Sequence, residues 1–126
     1  TDDLRKFIPK FPSQPVEVGE SFPPAEDEDK FPKLFAKNTY DAFINTNLAE
    51  VLETPKIERV VVCGVMTDCC CDTTARSAFK RGNETWLVSE ACGSANKRQH
   101  EAGLRGFGFA FGDVLTTSEA IRQLWG

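Results

Sequence analysis

Three consecutive cysteines, Cys69, Cys70 and Cys71, stand where an apolar run gives way to a helical pattern. Ile57-Glu-Arg-Val-Val-Val-Cys63 is a dense β-branched run of the kind that forms a buried parallel strand. Gly64 to Thr67 reads as a turn, and Asp68 to Arg81 has helical spacing that stops at Gly82. A thiol in the first turn of a helix that follows a strand lies beneath unpaired backbone N–H groups, and the positive end of the helix dipole favours its thiolate. The same amides can hold the oxyanion of a tetrahedral intermediate, at about 3 kcal/mol of barrier per donor. The chemistry on offer is therefore nucleophilic attack. Cys71 shares an apolar helix face with Thr74, Ala75, Ala78 and Phe79 and reads as a core residue. Cys69 is a turn residue whose direction the spacing leaves open. Cys70 is the candidate nucleophile, with packing as its alternative role when spacing alone is considered.

The elements around this turn alternate between strand and helix. Lys33 to Lys37 reads as a short strand and Asp41 to Thr54 as a helix, with Phe43, Leu48, Val51 and Leu52 near a 3.6-residue period. Beyond the central helix, Glu84 to Val88 is a strand and Cys92 to Ala95 a loop. Lys97 to about Leu104 is a helix that precedes the Gly/Phe-rich stretch from Gly106 to Gly112. Asp113 to Leu115 is a last short strand, and Ser118 to Trp125 a closing helix capped by Thr117 or Ser118. This order predicts an α/β domain with a mainly parallel sheet. Ligands in such sheets sit at the carboxyl ends of the strands, beside helix N-termini, which points to the segment from Cys63 to Cys71. Residues 1–32 differ: they hold six of the seven prolines and an acidic run from Glu26 to Asp29, and read as an irregular surface segment.

Composition narrows the function classes. A 126-residue chain with 40% hydrophobic residues and ten Phe is of one-domain size and globular composition. A net charge of −4, without a basic stripe, argues against nucleic acid as a partner. No apolar run approaches the roughly 20 residues of a membrane span. Three adjacent cysteines, with Cys63 in a strand and Cys92 after another, do not make a disulfide framework. They read as reduced thiols of a cytoplasmic protein, with secretion as the alternative. With no pair of C-x-x-C motifs and His100 as the one histidine, neither a metal site nor a cofactor is expected. His100 itself reads as a helix-surface residue, and Phe107, Phe109 and Phe111 as core or a subunit contact.

Gly64-Val-Met-Thr-Asp-Cys-Cys-Cys-Asp-Thr-Thr-Ala-Arg-Ser-Ala78 resembles the signature of the isochorismatase-like cysteine hydrolases, G-V-x-T-[DNH]-x-C-V-x-x-T-A-x-x-A. On that register the family's nucleophile falls on Cys70, and Cys71 replaces the usual valine. The resemblance implies a cis peptide between Val65 and Met66, and an oxyanion hole formed by the backbone N–H groups of Met66 and Cys70. Lys37-Asn-Thr-Tyr-Asp-Ala-Phe43, with Thr46 and Leu48, resembles the family's K-x-x-x-[SD]-A-F-x-x-T-x-L segment. It implies that Lys37 lies beside the catalytic cysteine and that Phe43 borders the substrate pocket. Trp86 to Ala91 and Val114 to Thr117 resemble the family's later strands, so the likeness spans roughly residues 33 to 120.

The family's first strand carries an aspartate that works with the cysteine and lysine, and no such strand precedes Lys37. The implied fold is a three-layer α/β/α arrangement with Rossmann-like topology whose first strands are missing from this chain. Residues 1–126 then form a single incomplete hydrolase domain, with 1–32 as surface segment and 33–126 as core. The flank of Val60-Val-Val-Cys63 would be exposed, and an N-terminal segment or separate fragment is expected as a partner. Thr1 as first residue, with Met66 as the one methionine, agrees with a processed or partial chain. The resemblance also implies a homo-oligomer and a small-molecule substrate. The favoured activity is an amidase that cleaves a C–N bond through a Cys70 thioester. The alternatives are an isochorismate hydrolase that releases pyruvate, and a non-catalytic redox or partner-binding member of the fold.

Overall fold

The computed structural model describes residues 35–126. The segment 1–32 and the first residues of the expected strand 33–37 lie outside the described residues. Phe35 to Lys37 form no strand. The expected helix from Asp41 also begins later: residues 41–47 are turns, and α1 spans Leu48–Glu53. Asp41 Oδ1 accepts the Phe43 N–H at 2.9 Å, and Asn45 sits at a φ of 57°. An Asx turn followed by a left-handed residue interrupts the helical path.

Three strands follow, β1 Arg59–Val65, β2 Glu84–Gly93 and β3 Asp113–Leu115, paired in parallel in the order β1-β2-β3. A π-helical turn, Thr67–Cys71, leads directly into α2 Asp72–Lys80, while α3 is Lys97–Ala110 and α4 is Thr117–Trp125. The parallel α/β class read from the sequence is correct. Residues of β2 alternate between two cores. Leu87 packs with Cys71, Ala75 and Phe107 beneath α2 and α3, whereas Trp86 and Val88 pack with Leu115 and Ala120 beneath α4. Helices therefore cover both faces of β2.

β1 departs from the fully buried strand that its β-branched run suggests. Val61 and Val65 are 37% and 71% exposed. Among the described residues β1 is paired on one side alone, which leaves a face and an edge open. β2 runs on through Cys92 and Gly93, expected as loop. Its register against β1 shifts between Val62 and Gly64, so that Gly64 pairs with Cys92; the bulge lets the strand resume after Ser89 to Ala91.

α3 continues through the Gly/Phe-rich stretch to Ala110, six residues beyond the expected end. Phe107 is fully buried and Phe111 packs on it and on Phe79, whereas Phe109 is exposed. The glycines here serve packing. A Cβ on Gly103 would come within 3.0 Å of Asp68 Cα, so its absence lets α3 close on the π turn. The closing helix starts one residue early because Thr116 is its cap, accepting the Glu119 N–H at 3.2 Å and donating to the Glu119 carboxylate.

Candidate active site

β1 ends in a cis peptide between Val65 and Met66, and the chain turns at once into the π turn. The Met66 carbonyl accepts the N–H groups of Cys69 and Cys71, each at 3.1 Å. A regular α-helix would give that oxygen the Cys70 N–H, which this turn skips. Thr67 is fully buried, as is most of Cys71, whereas Cys70 is half-buried.

Lys37 reaches this turn from 33 residues away: its Nζ lies 3.8 Å from Cys70 Sγ and donates to the Thr39 carbonyl at 2.9 Å. The loop that carries it is held on α2. The Ala42 N–H donates to Thr74 Oγ1 at 3.0 Å, and that hydroxyl donates to the Tyr40 carbonyl at 3.3 Å. Ser77 Oγ donates to the Asp41 carboxylate, whose other oxygen holds Phe43. Thr74 and Ser77 follow Cys70 by four and seven residues, so one helical stripe presents the thiol and grips the loop that brings the amine.

Burial, with the charges of Asp68, Cys70 and Asp72, raises the Cys69 pKa. The Cys71 pKa is driven far up by its hydrogen bond to Cys92 and by burial. Cys92 shows the opposite shift, to about 7, because it accepts from Cys71 and from the backbone N–H groups of Gly64 and Val88. Tyr40, on the Lys37 loop, is raised by burial and by Cys69 and Cys70. Among the described residues no group of three or more His, Cys, Asp or Glu side chains is arranged to hold a metal ion.

Phe43 is buried, with the Arg81 guanidinium 4.6 Å over its ring. It lines a cavity of about 500 Å³ with Leu52, Ile57 and Arg81, and neither Lys37 nor Cys70 borders that cavity. His100, expected on the surface of its helix, instead lies 2.6 Å through Nδ1 from Thr67 Oγ1 and shares a hydrogen bond with it. Asp68 accepts from Ser94 Oγ just beyond β2. Neither pairing was visible in the sequence, since each spans at least 26 residues and carries no local pattern.

A family model described as the isochorismatase domain matches residues 5–119. Nicotinamidase 3 of Arabidopsis thaliana is 39% identical over 94 residues, which cover 75% of this chain and 48% of that protein. Maleamate amidohydrolase of Pseudomonas putida is 33% identical over 91 residues, 72% of this chain and 43% of its own length. The chain thus spans about half the length of these curated relatives. Among solved structures, an isochorismatase-like hydrolase from Alkaliphilus metalliredigens superposes with a TM-score of 0.70 at 27% identity, over 79% of this chain and 56% of that one. The Staphylococcus aureus nicotinamidase gives a TM-score of 0.63 at 32% identity, over 65% and 52%. No helix among the described residues is long and apolar enough to cross a membrane. Because the isochorismatase domain model spans residues 5–119, most of the sequence, the chain belongs to the isochorismatase family.

Proposed function

We propose that this chain carries the nucleophile half of a cysteine-dependent amidase. The observation that supports this most directly is the 3.8 Å approach of Lys37 Nζ to Cys70 Sγ on a loop fastened to the nucleophile's own helix. An ammonium group at that distance favours the thiolate and then the anionic transition state. The amidase branch draws further support from similarity to a nicotinamidase and a maleamate amidohydrolase.

The Cys70 sulfur donates an electron pair to the carbonyl carbon of a small amide, and the carbonyl π electrons move onto oxygen. The N–H groups of Met66 and Cys70 hold that oxyanion. Its collapse breaks the C–N bond, and the nitrogen takes a proton and leaves as ammonia or an amine. Water then attacks the Cys70 thioester and releases the acid with the free thiol.

The proton donor and acceptor is a carboxylate supplied from outside these 126 residues. It sits on an N-terminal segment or separate fragment that adds strands along the open edge of β1, completing the single hydrolase domain. Self-association would use an exposed apolar side chain such as Phe109, 90% exposed on α3.

The test is an amide panel assayed for ammonia, run beside isochorismate assayed for pyruvate, on the protein that contains this chain. Ammonia release that disappears in Cys70→Ala supports the amidase. Pyruvate release that persists in Cys70→Ala would replace it with the vinyl-ether hydrolase. Intact mass and N-terminal sequencing test the completing segment; a lone 14.0 kDa species that is monomeric and active would remove the need for one.

A further inference from the structure

The mechanism above leaves unused the hydrogen bond between Thr67 and His100. Thr67 is the first residue after Met66 and the first of the π turn, and its side chain has no exposure to solvent. A buried hydroxyl must be satisfied within the protein, and the partner given to it comes from α3. The contact is part of a stripe. His100, Gly103 and Phe107 recur at helical spacing on α3: His100 reaches Thr67, Gly103 lies against the Asp68 backbone, and Phe107 packs into the core with Cys71. Three successive residues of α3's inner face thus touch the turn that carries Cys70.

We propose that His100 is a positioning residue for this turn: by holding Thr67 it fixes the backbone between Met66 and Cys70, and with it the orientation of the thiol toward Lys37. The proposal rests on Cys70 being the nucleophile. His100 acts through Thr67 and has no contact with substrate. A hydroxyl both donates and accepts, so the bond can form with either ring tautomer. An amide at the Nδ1 position should therefore replace the imidazole, and an alkyl group should not.

The experiment measures alkylation of each cysteine by iodoacetamide at pH 7, peptide by peptide, in the protein that contains this chain. The unsubstituted protein, alkylated in parallel, is the reference. His100→Ala is expected to slow Cys70 by about tenfold relative to the unsubstituted protein, because the sulfur loses its alignment toward Lys37, and His100→Asn to recover most of the rate. Thr67→Val is expected to slow Cys70 to a similar degree, and the Thr67→Val/His100→Ala double variant no further than either single one. An unchanged rate in His100→Ala, or full additivity in the double variant, would overturn the proposal. Should His100→Ala fail to fold, His100→Gln takes its place, since its amide lies one bond farther out. A slow Gln variant with a fast Asn variant then supports the role, and equal rates oppose it. Ammonia release is assayed in parallel. Turnover with alkylation insensitive to His100 defeats the positioning role alone, whereas the expected alkylation pattern with no amide turned over defeats the amidase reading alone.

Discussion

Cys70 and Cys71 are adjacent in the chain and lie in opposite environments. Cys71 points inward, 4% exposed, against Leu87 and Phe107, and shares a hydrogen bond with Cys92. Cys70 points outward toward an amine on a loop. One residue step around the π turn separates a sulfur that packs from one that faces the Lys37 amine. The difference teaches that what each sulfur faces is set by elements that reach the turn from elsewhere. Thr74 and Ser77 fasten the Lys37 loop on one side, and His100 and Ser94 hold the turn on the other.

The sharpest test of this contrast exchanges the two sulfurs' roles. Cys70→Ser is expected to lower amide hydrolysis by about 10⁴-fold or more, while Cys71→Val keeps measurable turnover; equal losses in steady-state assays would erase the distinction. Next in size is the inner cluster itself. Phe107→Ala should destabilise the fold by about 3–5 kcal/mol, read from urea denaturation, because Phe107 is fully buried against Cys71, Ala75 and Leu87.

On the outer side, Lys37→Met should cut kcat by about 100-fold and slow Cys70 alkylation with little change in the denaturation midpoint. A variant with undiminished kcat would detach the amine from the chemistry.

The smallest expected effect concerns pH. In the folded state Cys92 is lowered to about 7, whereas Cys71, Cys69 and Tyr40 are raised. The depressed Cys92 contributes stability at high pH that is lost as pH falls from the unfolded value near 9 through 7. The raised groups contribute stability below their unfolded values that is lost as pH climbs beyond 9 to 10. Denaturation midpoints should therefore rise from pH 7 to about 9 and decline above it. Cys92→Ala should flatten the rising limb, and a rise that survives this substitution would place its origin in another group.

How far the sequence exposed this arrangement depended on distance along the chain. The strand, turn and helix around Cys70 are local, and their residues could be read in order. Lys37 could be paired with Cys70 through motif likeness alone, because the bonds from Ala42 to Thr74 and from Asp41 to Ser77 join segments more than 30 residues apart. The glycines of α3 misled for a physical reason. Gly106 and Gly108 look like helix breakers, yet α3 runs through both to Ala110, and the burial of Phe107 between them repays the lost propensity. His100 looked like a solvated side chain because its partner lies on another element, 33 residues back.

The carbonyl of Met66, shared by the amides of Cys69 and Cys71, has one more consequence. A π turn is an α-helical turn with one residue inserted. Deleting a single residue between Thr67 and Cys69 would let the helix close its ordinary ladder and bring the cysteine amide back into it. The shortened protein would have a more regular helix and one donor fewer for negative charge beside its sulfur. In this turn, the irregularity is what keeps the Cys70 N–H off the Met66 carbonyl.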